Sequence, residues 1–263
     1  MKAGLLFAIV LILIIAIPVS LTSCASTNRI TPLMIASKEG NIESVRELIA
    51  SGAHVNAKTE VGETALIFSS QNGHIEIVKE LIDKGADVNA KNVLGQTVLM
   101  SASSRGHIEV VKELIANGAD VNAKTTGDGT PLGAFFSGQT ALFFASQNDH
   151  TEVAKELIAN GADVNAKDFW GTTALMNSAR NGNIQMVKEL IANGADVKAK
   201  DKADYTALIF SSREGHVEVV KELIANGADV NAKTTDSETS LSIAKDKKHL
   251  EIIELLKEAG AKE

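Results

Sequence analysis

Five of the six histidines fall in one column. His74, His107, His150, His216 and His249 are each followed two residues later by glutamate. His-x-Glu is half of the pattern with which zinc deaminases hold metal and move a proton, but the Pro-Cys-x-x-Cys half is missing. Cys24 is the only cysteine, so an intrachain disulfide and a cysteine-rich zinc or iron–sulfur site are excluded. No Gly-x-x-x-x-Gly-Lys-Ser/Thr, His-Glu-x-x-His or Gly-x-Ser-x-Gly run occurs. Gly127-Asp128-Gly129 is too short for a phosphate loop. A histidine repeated once per unit is expected to serve the turn that opens a helix. His54 stands outside the column, at a turn position that is usually Asp. No catalytic residue, metal or cofactor is expected.

Composition narrows the classes further. Apolar residues make up 44% and charged residues 22% of 263, which suits a globular chain and argues against disorder. A net charge of -7 argues against a general electrostatic grip on nucleic acid. Aromatics are scarce, with one Trp and one Tyr, so the places of those two are informative.

The elements that position these residues begin after a leader. Lys2 precedes an apolar run from Ala3 to Ile17, which is the length of a signal peptide's apolar core and short of the ~20 residues of a spanning helix. Leu21-Thr22-Ser23-Cys24 resembles a bacterial lipobox. The resemblance implies cleavage before Cys24 and acylation of that cysteine, giving a signal peptide at 1–23 and a short tether at 24–29. Several acyl chains anchor stably where one does not. Ala25 rather than Asp after the cysteine favours the outer membrane in a Gram-negative cell.

Everything beyond is one repeated unit. GADVNAK and its variants begin at Gly52, Gly85, Gly118, Gly161, Gly194 and Gly227, with a truncated copy at Gly260; the spacing is 33 except for one interval of 43. Thr-x-Leu keeps the same spacing from Thr31 through Thr64, Thr97, Thr140, Thr173 and Thr206 to Thr239. A fixed period of this size means stacked units that bury a continuous core together. In 74–85, Ile75, Val78, Leu81 and Ile82 share one helical face, Lys79, Glu80 and Lys84 lie opposite, and Gly85 stands where a left-handed cap belongs. Thr64 is the expected N-cap of the preceding helix.

These units resemble ankyrin repeats over residues 30–263. The resemblance implies an all-α solenoid of seven helix–turn–helix units joined by β-turn fingers, with a ten-residue insertion within about 125–138. The usual His after Thr-x-Leu is replaced by Met34, Ile67, Met100, Phe143, Met176, Ile209 and Ser242. The last unit carries Lys245, Asp246, Lys247, Lys248, Glu251 and Glu254, the charged face a terminal cap needs.

Seven internal copies allow fixed and variable columns to be separated. In ankyrin repeats the concave face is built from finger tips and the exposed side of each first helix. Phe169, Trp170, Tyr205, Arg180 and Arg213 fall there, with Phe135 and Phe136 on the insertion nearby. Trp, Tyr and Arg are the residue types most enriched at interface hot spots. That face also holds similar numbers of acids and bases, which does not suit phosphate tracking. Phe68, Phe143, Phe144 and Phe210 lie within first helices and are expected in the core.

The sequence thus points to a non-catalytic, lipid-tethered, monomeric scaffold of the cell envelope that binds a protein. The alternative is a structural or protective envelope component without one partner. Neither nucleic acid nor a small-molecule substrate is implied.

Overall fold

The computed structural model describes residues 30–262. The leader, the lipobox and Cys24 lie outside the described residues.

Among the described residues, helices come in seven pairs: α1 (Pro32–Glu39) with α2 (Ile42–Ala50), α3 (Ala65–Gln71) with α4 (Ile75–Asp83), and α5 (Val98–Arg105) with α6 (Ile108–Ala116). These are followed by α7 (Ala141–Gln147) with α8 (Thr151–Ala159), and α9 (Ala174–Asn181) with α10 (Ile184–Ala192). The last are α11 (Ala207–Glu214) with α12 (Val217–Ala225), and α13 (Ser240–Lys247) with α14 (Leu250–Glu258). First helices stack on first helices and second on second, so each unit touches its neighbours in line.

Helices of seven to nine residues are marginal alone. Two things hold these. Each first helix is capped by its threonine, whose hydroxyl accepts the N–H three residues on at 3.1–3.3 Å. Each second helix after the first buries a leucine of one column: Leu81, Leu114, Leu157, Leu190, Leu223 and Leu256 have no exposed surface. Phe68, Phe143 and Phe210 are buried as expected. Phe144 is not: it is half-buried, its ring edge-on to Phe143 at 5.9 Å.

The histidine column has a different task from the one its position suggests. Each histidine opens a second helix but makes no side-chain cap bond there. Its Nε2 instead reaches the preceding unit: His74 meets the Lys38 carbonyl, His107 that of Gln71, and His150 that of Ser104, each at 3.1 Å. His216 and His249 repeat this with Arg180 and Arg213, at 2.8 and 3.2 Å. The column is a series of inter-unit staples closing the exposed carbonyls at first-helix C-termini.

The asparagine of VNAK forms a second series on another edge. Asn56 donates to the Gly85 carbonyl and accepts from the Asp87 N–H, both at 2.8 Å. Asn89, Asn122 and Asn165 grip the next unit in the same way, and Asn231 grips Gly260 and Lys262.

Candidate protein-binding face

The fingers form the edge on which most of the candidate residues lie. Each is a tight turn whose first residue gathers the N–H groups of the loop. Asn92 Oδ1 accepts from Leu94 and Gln96, Asp168 Oδ1 from Trp170 and Thr172, and Asp201 Oδ1 from Ala203 and Tyr205, all at 2.8–3.0 Å. Successive fingers are joined through the backbone: Val93 N–H donates to Val61, Phe169 to Ser137, and Lys202 to Trp170, at 2.8–2.9 Å. The result is a continuous ridge.

The insertion bulges from this ridge without breaking it. Thr125 and Gln139 still close the base of their finger, with the Thr125 N–H on the Gln139 carbonyl at 3.0 Å and the Gln139 N–H on Thr125 Oγ1 at 2.9 Å. Within the bulge, Thr130 Oγ1 accepts from the Gly133 N–H, the same three-residue cap that opens every first helix. Only a single 3-10 turn, Gly133–Phe136, follows. The segment therefore has the start of a unit and no continuation.

Phe135, Phe169 and Trp170 meet as one cluster. Phe135 stacks on Trp170 with centroids 5.1 Å apart, and Phe169 stands edge-on to both, at 5.3 Å from Phe135 and 5.1 Å from Trp170. Such arrangements add to plain burial. Lys202 Nζ lies 3.7 Å from the Phe169 centroid, a cation over the ring face. Trp170 is still 38% exposed and Phe135 37%. Phe136 is exposed as well and belongs to none of these ring pairs.

Tyr205 and Arg180 belong to a second cluster, and here the expected free surface is partly consumed. Tyr205 stacks on Phe210 at 5.2 Å, its hydroxyl donates to Glu238 at 3.3 Å, and Arg180 Cζ lies 4.2 Å from the Phe210 centroid. Phe210 is thus covered by the two residues expected to point at a partner. Tyr205 precedes the N-cap Thr206 and Phe210 is the fourth residue of the helix, the two positions of a hydrophobic staple. That spacing was the signal available for the pairing. Arg213 is 3.9 Å from Glu214 and half-exposed. Both clusters meet at the finger 201–205, which supplies Lys202 to one and Tyr205 to the other.

Burial also shifts the charges beneath. The Asp168 and Asp201 carboxyls are pushed above the usual carboxylate range by burial, an effect their N–H donors partly offset. Burial lowers the Arg180 guanidinium, against the nearby negative charge of Asp201 and Glu214. The Tyr205 phenol is raised by burial first and by the charge of Glu238 second.

The family pattern of ankyrin repeats (three copies) matches residues 4–92, 33–125, 99–201 and 175–263. The chain belongs to the ankyrin-repeat family. A crystal structure of the human ASB11 ankyrin repeat domain superposes with a TM-score of 0.77 over 89% of this chain and 100% of that one, at 24% identity, a likeness of fold. The Homo sapiens protein "Ankyrin repeat and KH domain-containing protein 1" is 61% identical over 36 residues, which are 14% of this chain and 1% of that protein. Ankyrin repeats generally mediate protein–protein interaction. Among the described residues of this ankyrin array no helix is long and apolar enough to cross a membrane.

Proposed function

We propose that this ankyrin-repeat protein is a membrane-tethered scaffold that docks a protein on the finger ridge of its fourth to sixth units. Cys24, acylated after removal of residues 1–23, supplies the tether. The observation that carries the docking reading is the aromatic cluster on the ridge: three rings from two fingers are gathered there, yet Trp170 and Phe135 keep more than a third of their surface in water. A pre-ordered aromatic surface loses little freedom on binding, and truncating an interface Trp commonly costs about 2 kcal/mol or more.

Arg213 and Phe136 extend the surface, while Arg180 and Tyr205 shape it from behind. The test is crosslinking capture from membranes by the wild type, Trp170→Ala and the distant Glu60→Ala. Trp170→Ala should weaken capture roughly thirtyfold, with Glu60→Ala close to wild type. A fall in melting temperature with unchanged capture would assign the rings to fold stability alone and favour a structural envelope role. Cys24→Ser, followed by a carbonate wash, tests the tether: retention on membranes equal to wild type would refute acylation at Cys24.

A further inference from the structure

The two ends of the solenoid are finished differently. At the C-terminal end, Ser242 stands where the interior units bury Ile67, Met100, Phe143, Met176 and Ile209, and charged residues surround it. At the N-terminal end, Ser44 makes the same kind of polar exchange in α2, replacing a position that buries Ile77, Val110, Val153 and Met186 further along. The start of α1 is different. Ile30 is 46% exposed and Ile35 45%, although Phe68, Phe210 and Ile243 are buried at the position equivalent to Ile35. Ile30 and Ile35 flank the N-cap Thr31 at the two hydrophobic-staple positions, and Pro32 lies exposed between them. Leu48, fully buried in every later copy, is only half-buried here. Apolar surface is therefore left uncovered at one corner of the array, where the chain enters from the tether.

The reach of that tether limits what can cover the corner. Seven peptide steps separate Cys24 from Thr31, about 24 Å when fully extended. Seven stacked units at ~10 Å each are much longer than this. On the reading that Cys24 is acylated, the first unit stays within about 24 Å of the bilayer surface, and the last unit need not. We infer that the corner formed by Ile30, Pro32, Ile35 and Leu48 rests on the bilayer interface, so that the array stands end-on and holds the finger cluster of units four to six roughly 30–50 Å out.

The lipid interface fits this corner better than a second copy does. A stable dimer buries about 1,000 Å² or more, and four side chains cannot supply that. A tethered corner needs far less area, because the anchor already provides a high effective concentration. Lys38 and Arg46 alternate with Glu39, Glu43 and Glu47 around it, so no demand for anionic lipid is built in.

The inference rests on the lipoprotein reading, and the experiment separates the two. In a Trp170→Phe background, Ile35→Trp and Leu250→Trp each carry a single fluorescent reporter. The acylated chain is placed in phosphatidylcholine–phosphatidylethanolamine vesicles with brominated acyl chains. Leu250, at 73%, is the more exposed apolar residue, so indiscriminate adsorption would quench its reporter first. Most of the Ile35→Trp emission should be lost while the Leu250→Trp emission is unchanged. No loss from Ile35→Trp, or equal loss from both, overturns the end-on arrangement. If mass analysis finds Cys24 without acyl groups, the lipoprotein reading fails. Coupling the Cys24 thiol of the processed chain to maleimide-phosphatidylethanolamine in the same vesicles then tests the corner by itself, with the same two outcomes.

Discussion

The seam between the third and fourth units differs from the seam between the fourth and fifth, and the difference explains a column of glycines. At the third seam, Gly106 has φ +75° and ends α5, and a Cβ placed on it would lie 2.5 Å from His150 of the next unit. Gly40, Gly73, Gly182 and Gly215 meet His74, His107, His216 and His249 in the same way, at 2.5–2.8 Å. At the fourth seam both partners change. Asp149 takes the glycine's place with φ 62°, and Asn183 takes the histidine's. Asn181 and Asn183 donate to Asp149 Oδ1 at 3.1 and 3.4 Å, and Asn183 also donates to Thr151 Oγ1 at 3.1 Å. At the last described unit Lys248 occupies the glycine position, also at φ 62°, with no histidine behind it among the described residues. The left-handed backbone alone does not demand glycine, because Asp and Lys both adopt it here at a cost of about 1–2 kcal/mol. The imidazole of the next unit does, since it fills the space a Cβ would need.

The sharpest way to break this account is a double-mutant cycle. Asn183→His should destabilise the array by about 2–3 kcal/mol, since the ring meets Asp149 and the asparagine bonds are lost. Asp149→Gly should be close to neutral, since the loss of those bonds, about 1 kcal/mol, is offset by relief of the left-handed aspartate. Together they recreate the third seam and should recover most of the loss, with a coupling of at least about 1 kcal/mol in urea denaturation. Additive effects would mean that the two columns are independent.

A second contrast lies one seam further on. Lys198 replaces the clamp asparagine between units five and six, so the Gly227 carbonyl and Asp229 N–H lack the grip that Asn165 gives Gly194 and Asp196. Concave-side links persist there through His216 and the Lys202 backbone. Lys198→Asn should restore two hydrogen bonds and raise stability by about 1–2 kcal/mol. Slower hydrogen exchange at Asp229 would confirm it, and an unchanged rate would show that the clamp contributes nothing at this seam.

The smallest effect separates two fingers by charge. Asn92 and Asp168 gather loop N–H groups in the same way, but only Asp168 carries a charge, and burial raises its carboxyl pKa. A raised carboxyl binds its proton more tightly in the folded state. Between the ordinary value and the raised one, stability therefore falls as pH rises, and above that window the ionised group leaves a constant penalty. Asp168→Asn should keep the turn, raise stability at neutral pH by less than about 1 kcal/mol, and flatten the melting-temperature profile in the window just above the ordinary carboxylate range. A variant that melts lower at neutral pH would show that the N–H bonds to the charge outweigh its burial.

Repeat period, threonine caps, the buried leucine column and the interrupted finger were all legible in the sequence, because each depends on residues within one unit. So was the gathering of Phe135, Phe169 and Trp170, since the insertion and the next finger are adjacent along the ridge. The histidine staples, the asparagine clamps and the covering of Phe210 by Arg180 were not. Each joins columns about thirty residues apart, and a period fixes which positions recur without fixing which recurring positions face one another across a seam. That choice belongs to the rotation and offset with which one unit packs on the next. The sequence by itself determined seven marginal helix pairs, each capped locally and apolar on the faces that must meet. Only the stacked structure decided that the glycine of one unit makes room for the histidine of the next, because the steric exclusion acts between units and does not exist in either one alone.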